Sequence, residues 1–181
     1  MPPARLPRGS MSRVRSDAAT DTREKIVDRD ALLRRLEEQR AGGRRVVLAN
    51  GCFDLLHVGH VRYLEGARRE GDVLVVAVNS DASVRKLKGP ARPILPGDAR
   101  AQLVAALGIV SYVTVFDEPD VTALLTALRP DVHAKGTDYT VETVPERDTA
   151  LRLGVRIAIV GDAKEHSTRD LLARLCSLPR E

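Results

Sequence analysis

The chain has 181 residues with a formal net charge of +4 at pH 7, and it contains two phenylalanines, three tyrosines and no tryptophan. This length suits one domain, and so few aromatic side chains offer little surface for stacking bases, so we expect no nucleic-acid partner. No apolar run approaches the length of a membrane span, and the amino terminus lacks the apolar stretch of a secretory signal. Two cysteines do not make a disulfide framework, so we expect a cytoplasmic protein without membrane association.

The amino-terminal part of the chain changes character near residue 28. Residues 1–27 are rich in proline, arginine, serine and threonine and lack apolar periodicity, which predicts a disordered basic tail. Residues 28–43 are predicted to form a short amphipathic helix, with three leucines on one face and a glycine pair at its end. We assign the remaining residues, 44–178, to one domain.

From residue 44 onward, apolar strand-like runs alternate with amphipathic helical patterns. Strands are predicted over 46–49, 73–78, 110–115, 131–134 and 155–160, and helices over 58–70, 98–107, 119–129, 145–153 and 167–176. Strands separated by helices indicate βαβ units, whose right-handed crossovers build a parallel sheet covered on both faces. We therefore predict a single-domain α/β fold with a Rossmann-like, doubly wound parallel sheet and a ligand site beyond the carboxyl ends of its strands.

The most informative segment joins the first of these strands to the helix that follows it. An apolar run meets a glycine turn, and His57 and His60 then flank Gly59 where the helix begins. Unpaired N–H groups and the positive end of the helix dipole favour anions at such a start. Histidines three residues apart share one side of the turn, and the glycine leaves space for a ligand. The junction therefore predicts a polyphosphate site, although either histidine alone would more often be structural.

Motifs of other nucleotide-binding proteins are missing from the sequence. It contains no G-x-G-x-x-G fingerprint and no G-x-x-x-x-G-K-[ST] loop, which argues against a dehydrogenase-type dinucleotide site and a Walker-type phosphate loop. No cysteine and histidine spacing fits a structural zinc site. A histidine metal site built from His57, His60 and His133 stays open as an alternative, without supporting carboxylates.

The run Asn50-Gly51-Cys52-Phe53-Asp54-Leu55-Leu56-His57-Val58-Gly59-His60 resembles the first motif of the cytidylyltransferase-like nucleotidyltransferase superfamily. Segments over 78–84, 86–89, 92–94 and 131–139 narrow the resemblance to the stand-alone adenylyltransferases that activate D-glycero-D-manno-heptose 1-phosphate and lack a fused sugar kinase. The resemblance covers nearly all of residues 44–176. It implies transfer of AMP from ATP to the sugar 1-phosphate, which gives ADP-heptose and pyrophosphate, with Mg²⁺ as the cofactor and a homodimer as the assembly.

The resemblance also implies roles for individual residues. The catalytic group consists of His57, His60 and Lys88, with Lys88 placed in a loop after the second strand. Nucleotide contacts are expected from Asn50, Gly51, Phe53, Gly59, Arg100, Ser167 and Thr168. Contacts to the sugar phosphate are expected from Asn79, Asp81, Lys135 and Asp138, and no residue is expected to bind a metal ion directly.

Two positions depart from the pattern of the relatives. Arg169 stands where a second threonine is usual, and Thr137 stands where a glycine is common, which would tighten the sugar pocket. Asp54 is expected to buttress its own turn by accepting backbone N–H bonds. Three alternatives stay open: a cytidylyltransferase acting on glycerol 3-phosphate or another phosphoalcohol, a domain that binds nucleotide without catalysis, and a plain helix-capping role for Ser167 and Thr168.

Overall fold

A computed structural model describes residues 21–162 and 168–177 of the chain. Its strands, β1 (Val46–Gly51), β2 (Val73–Asn79), β3 (Tyr112–Phe116), β4 (Val132–Gly136) and β5 (Arg156–Val160), form one sheet in the order β3-β2-β1-β4-β5. Each neighbouring pair is parallel. The predicted α/β fold with a doubly wound parallel sheet is confirmed, and the strand order reverses between β1 and β4.

Helices connect the strands and cover both faces of the sheet. They are α1 (Arg29–Ala41), α2 (Val58–Arg69), α3 (Asp81–Lys88), α4 (Gly97–Ala105), α5 (Thr122–Leu128), α6 (Arg147–Leu153) and α7 (Thr168–Cys176). None of the helices in the described ranges combines the length and apolarity that a bilayer span requires.

The alternation of side chains along β1 shows how the core divides between the two faces. Val46 and Leu48 belong to a buried cluster with leucines of α1 and α5, whereas Val47 and Ala49 belong to a second cluster with residues of α2 and α4. All four β1 residues are fully buried, as expected for a parallel strand that is covered on both faces. This buried central strand carries the glycine turn and the histidine pair at its carboxyl end.

The sheet opens where β1 and β4 end. Their pairing runs only from Val47 opposite Val132 to Ala49 opposite Ala134. Beyond it, the Tyr63 hydroxyl from α2 accepts a hydrogen bond from the Asn50 N–H group at 3.3 Å and donates one to the Ala134 carbonyl at 2.9 Å. Tyr63 therefore satisfies backbone groups that the diverging strands leave unpaired, and it shapes the crevice between them.

The structure corrects the prediction for the segment after β2. Lys88 was expected in a loop, but it is the last residue of α3. The helix begins because the Ser80 side chain accepts the Ser83 N–H bond and caps it, and Val84 is buried beneath it. It is only eight residues long and mostly polar, and no helix was predicted for it from the sequence.

The prediction of disorder is wrong for residues 21–27. Thr22–Lys25 forms a 3₁₀ turn capped by Asp21, and Ile26 pairs with Val113 along the outer edge of β3. Lys25 Nζ also donates to the carbonyls of Ala105 and Leu107. These contacts hold the segment against α4 and its following loop. Residues 1–20 lie outside the described ranges.

Candidate active site

A cleft of about 1410 Å³ opens at the carboxyl ends of the strands, above the point where β1 and β4 part. We call it the active-site cleft. Residues predicted from the sequence that line it are Asn50, Gly51, Phe53, His57, Gly59, His60, Asn79, Lys88, Lys135, Asp138 and Thr168. Ser167 lies outside the described residues. The volume exceeds what one drug-sized ligand needs, so there is space for two substrates side by side.

The histidine pair forms one wall of the active-site cleft. His57 is the residue that caps α2, and His60 lies in the first turn of the helix. The two imidazole rings stand 3.9 Å apart between centroids and are tilted by 32°. The prediction that both face the same side of the helix start is therefore confirmed.

Backbone contacts determine which nitrogen of each ring carries a proton. His57 Nδ1 accepts a hydrogen bond from the Gly59 N–H group at 3.1 Å, and His60 Nδ1 accepts one from the His57 N–H group at 3.4 Å. A nitrogen that accepts from an N–H group has no proton of its own, so in both neutral rings the proton is on Nε2. Both histidines are therefore Nε2–H donors, which is the form suited to binding phosphate oxygens.

The turn between β1 and α2 is compact and strained at one residue. Phe53 has a positive φ of 47°, which is uncommon for a bulky side chain. A Cβ atom at Gly51 would lie 3.1 Å from the Phe53 ring, so any larger residue there would require this buried ring to shift by a few tenths of an ångström. The Phe53 ring is buried and lies 5.2 Å from the His60 ring. Phe53 therefore acts as a support for His60 within the cleft wall.

A buried ion pair lies at the floor of the active-site cleft. Lys135 Nζ is 3.4 Å from Glu146 Oε2, and both side chains are buried. The ammonium group also lies 4.7 Å from the centre of the Tyr139 ring. Lys135 was predicted from the sequence as a site residue, but Glu146 was not. Glu146 lies 11 residues later, just before α6, and only the fold of the intervening segment brings it to Lys135.

Arg100 and Asp81, both predicted to contact substrates, do not line the active-site cleft. The Arg100 side chain is fully buried, and its Nη1 donates to the carbonyls of Cys52 at 2.6 Å and Asn79 at 2.7 Å. Its Nη2 donates to Asp81 Oδ1 at 2.7 Å. This guanidinium therefore ties the ends of β1 and β2 to the start of α3, behind the cleft wall.

Asn79 and Lys88 both line the active-site cleft, but their side chains differ in exposure. Asn79 is almost fully buried and uses its amide to donate to Ser83 Oγ at 3.0 Å, within the start of α3. Lys88 is exposed at the end of α3 and lines the cleft.

Cys52 also lines the cleft. Burial raises the pKa of its thiol, and the positive charges of Lys88 and Arg100 oppose that shift.

Arg92 is a lining residue for which the sequence analysis assigned no role. Its guanidinium forms an ion pair with the buried Asp54 carboxylate at 2.5 Å. Asp54 Oδ1 also accepts the N–H bonds of Ile94 at 2.6 Å and Leu95 at 3.2 Å. Asp54 was expected to accept backbone bonds in its own turn, and the structure shows instead that it anchors the loop between α3 and α4.

The histidine metal site finds no support in the described part of the chain. No group of three or more His, Cys, Asp or Glu side chains there could hold a metal ion. His133 is buried in β4 with its Nε2 atom 3.2 Å from Asn50 Oδ1, so its ring faces Asn50 and not the histidine pair.

Comparisons with known proteins agree with the geometry. The sequence profile of the cytidylyltransferase-like family matches residues 48–167. Bifunctional protein HldE from Syntrophotalea carbinolica is 48% identical over 151 residues, which cover 83% of this chain and 31% of that protein. Bifunctional protein HldE from Trichlorobacter lovleyi is 45% identical over 155 residues, covering 86% of this chain and 32% of that protein. The chain thus spans about a third of the length of the curated relatives it matches.

One solved structure supports the same relationship at the level of the fold. The lipopolysaccharide core biosynthesis protein from Thermoplasma volcanium GSS1 superposes with a TM-score of 0.59 at 29% sequence identity. The match covers 67% of this chain and 100% of that one.

Proposed function

Because this chain belongs to the cytidylyltransferase-like family, we propose that it transfers AMP from ATP to D-glycero-D-manno-heptose 1-phosphate, releasing pyrophosphate and forming ADP-heptose. The observation that carries the proposal is the pair of Nε2–H donors at His57 and His60, held at a helix start inside a cleft with space for two substrates. The resemblance of the sequence supplies the identities of ATP and the heptose.

The reaction needs little acid–base chemistry from the protein. An oxygen of the sugar phosphate attacks the α-phosphorus of ATP, and the bond from that phosphorus to the bridging oxygen breaks as pyrophosphate leaves. The attacking oxygen is already an anion, so the task of the protein is to align the substrates and to stabilise charge in the transition state. His57 and His60 donate to the phosphate chain, and Lys88 adds a mobile positive charge at the rim of the cleft.

The acceptor is proposed to lie on the β4 side of the active-site cleft. Lys135, Asp138 and Thr137 line this side, at and beyond the carboxyl end of β4. The Thr137 hydroxyl donates to the Asp162 carbonyl at 2.9 Å, which links the segment after β4 to the end of β5. Lys135 would contact the anionic phosphate, and the polar segment would contact sugar hydroxyls.

Mg²⁺ is proposed to enter with ATP. The described residues offer no cage of three protein ligands, and Mg²⁺ commonly keeps its waters and binds through substrate phosphates. The ion would neutralise charge on the triphosphate. The residues of the chain would then bind and orient the nucleotide as described above.

We also propose that the protein is a cytoplasmic homodimer. The two cysteines, Cys52 and Cys176, are both free thiols, which suits a reducing compartment. The resemblance supports the dimer. Sedimentation equilibrium of the full chain would show twice the chain mass if the proposal is right and a single chain mass if it is wrong.

A panel of substrates tests the function directly. The purified protein would be incubated with Mg²⁺, with either ATP or CTP, and with either heptose 1-phosphate or glycerol 3-phosphate, while pyrophosphate release is measured. We expect release only with ATP and the heptose phosphate. Turnover with CTP and glycerol 3-phosphate would instead support the cytidylyltransferase alternative. Nucleotide binding without turnover in any combination would support the domain that binds without catalysis.

A further inference from the structure

A buried polar network beneath the active-site cleft contains a histidine that the proposed mechanism does not use. His133 has no exposed surface, and its Nε2 atom lies 3.2 Å from Asn50 Oδ1. Lys135 Nζ approaches the same oxygen at 3.4 Å, and Glu146 Oε2 lies 3.4 Å from that ammonium. Asn50 itself lines the cleft. The network therefore connects the sheet interior to a side chain that a ligand can reach.

The orientation of the Asn50 amide follows from its neighbours. A lysine ammonium has three donors and no acceptor, so the Asn50 atom that faces Lys135 has to be the carbonyl oxygen. The Nδ2 group is then the part of the Asn50 amide that is available to a ligand in the cleft. An amide held in this orientation offers an anionic ligand a donor without the entropic cost of ordering it on binding.

The same contacts determine the protonation of His133. Because Asn50 Oδ1 can only accept, His133 has to donate from Nε2. Its Nδ1 atom is buried and has no hydrogen-bond partner among the described residues, so a second proton there would be desolvated and unpaired. Burial, with a smaller contribution from the charge of Lys135, lowers the pKa of His133 to about 3. The ring is therefore neutral at neutral pH, with its one proton on Nε2.

We propose that His133 is a positioning residue whose Nε2–H group holds the Asn50 carbonyl, so that the Asn50 amide donates to the phosphate chain of the bound nucleotide. The identity of this ligand rests on the function proposed above. A purely structural role explains the residue poorly, because a hydrocarbon side chain in its place would leave no unpaired nitrogen in the core. The polar contact with Asn50 supplies a reason for a histidine at this position.

Two substitutions at position 133 separate positioning from packing. His133→Leu removes the donor and retains much of the volume, whereas His133→Gln retains an amide donor near the position of Nε2. We expect His133→Leu to raise the Kd for Mg-ATP, measured by calorimetry, about tenfold, as for the loss of one charge-assisted hydrogen bond. His133→Gln should recover most of that affinity. Val132→Ala is the matched control, since it removes buried methyl groups from the neighbouring β4 position and should lower the Tm with little change in Kd.

A double-mutant cycle tests whether His133 acts through Asn50. Once Asn50→Ala has removed the amide, the addition of His133→Leu should change the Kd for Mg-ATP no further. If the increases in Kd caused by Asn50→Ala and His133→Leu multiply in the double variant, the two residues act independently and the proposal is overturned. A His133→Leu variant that binds Mg-ATP as tightly as the wild type and loses only stability, as Val132→Ala does, would also overturn it.

The tautomer of His133 can be read from the wild-type protein if His133→Leu does not fold. Long-range ¹⁵N–¹H correlation spectra should show a neutral ring with its proton on Nε2 from pH 8 to pH 5. A proton on Nδ1, or a charged ring at pH 6, would overturn the proposal. Neither this readout nor the affinity for Mg-ATP depends on the acceptor. Failure of the protein to use heptose 1-phosphate would therefore contradict the proposed function. The positioning role of His133 would still be decided by the Mg-ATP affinities and the tautomer.

Discussion

His57 has two tasks, and each uses a different nitrogen atom. Its Nδ1 caps α2 by accepting the Gly59 N–H bond, and this contact leaves the proton on Nε2 at the other side of the ring. The cap contributes to the stability of the helix, whereas the Nε2–H group is the proposed donor to phosphate. Since the tasks belong to different atoms, a substitution can remove one and keep the other.

His57→Asn should make that separation. An asparagine oxygen is a preferred cap, so α2 should form and the Tm should stay within a few degrees of the wild type. The shorter asparagine side chain places no donor at the position of Nε2, so kcat/KM should fall about 100-fold, as for the loss of a single donor to a developing oxyanion. Pyrophosphate release and thermal unfolding would measure the two effects. His57→Ala serves as the comparison, because it should lose a further ~1 kcal/mol of stability. Near-normal turnover of His57→Asn would contradict the phosphate role.

His133 makes the stability of the protein depend on pH. Its pKa is about 3 in the folded protein, below the ordinary value of 6.5, so between these two values the unfolded chain binds more protons than the folded one. The free energy of unfolding therefore falls as the pH decreases from about 6.5 towards 3. Between pH 7 and pH 4.5, the titration of His133 should lower the free energy of unfolding by about 2–3 kcal/mol.

Urea unfolding of the wild type and His133→Leu at both pH values would isolate the contribution of the histidine. Other titrating groups are common to both proteins, so the difference between their pH-dependent losses belongs to residue 133. We expect the wild type to lose about 2–3 kcal/mol more than the variant. Equal losses would show that the folded protein accommodates a charged ring at this position.

At the scale of elements, Tyr63 determines how α2 meets the opened edge between β1 and β4. Its hydroxyl accepts from the Asn50 N–H group and donates to the Ala134 carbonyl, so one side chain replaces the interstrand bond that the divergence removes. Burial raises the pKa of this hydroxyl above its ordinary range, which keeps it protonated as a donor. The crevice can therefore exist without orphaned backbone groups at its base.

Tyr63→Phe should lower the free energy of unfolding by about 1–3 kcal/mol, because the partly buried Asn50 N–H group and the buried Ala134 carbonyl lose their partner while the ring remains. Urea unfolding at pH 7 would measure the loss. Tyr112→Phe is the matched control, since the Tyr112 hydroxyl makes a longer contact of 3.5 Å with Gln39 on a partly exposed surface. Equal effects of the two substitutions would show that the Tyr63 hydroxyl does not hold the strand ends together.

At the scale of the whole molecule, local patterns were predictable and distant partners were not. The strands, their parallel arrangement and the His57–His60 wall all follow from residues that are near one another in sequence. The buried role of Arg100 depends on Cys52 and Asn79, which lie 48 and 21 residues away. The helical sequence around Arg100 gives no sign that its side chain is buried. The resemblance to the family therefore predicted a nucleotide contact, which the structure does not show.

The floor of the active-site cleft shows the same limit. Lys135 was predictable as a polar residue at the end of a strand, but the oxygen it approaches belongs to Asn50, 85 residues earlier. The neutral state of His133 likewise arises from burial and from the charge of Lys135, which a linear pattern does not reveal. Side-chain networks at the switch point of the sheet therefore need the folded arrangement before their chemistry can be assigned.

The arrangement of the whole cleft predicts direct transfer between two bound substrates. The histidine wall and the Lys135 floor line a single cleft, so the two proposed substrates, ATP and the sugar phosphate, would occupy it together. Burial raises the pKa of the Cys52 thiol in this cleft, which makes it a poor nucleophile for a covalent AMP intermediate. Initial-rate lines at several fixed acceptor concentrations should therefore intersect, and exchange of labelled pyrophosphate into ATP should require the sugar phosphate. Parallel lines, or exchange with ATP alone, would show that the enzyme carries AMP covalently.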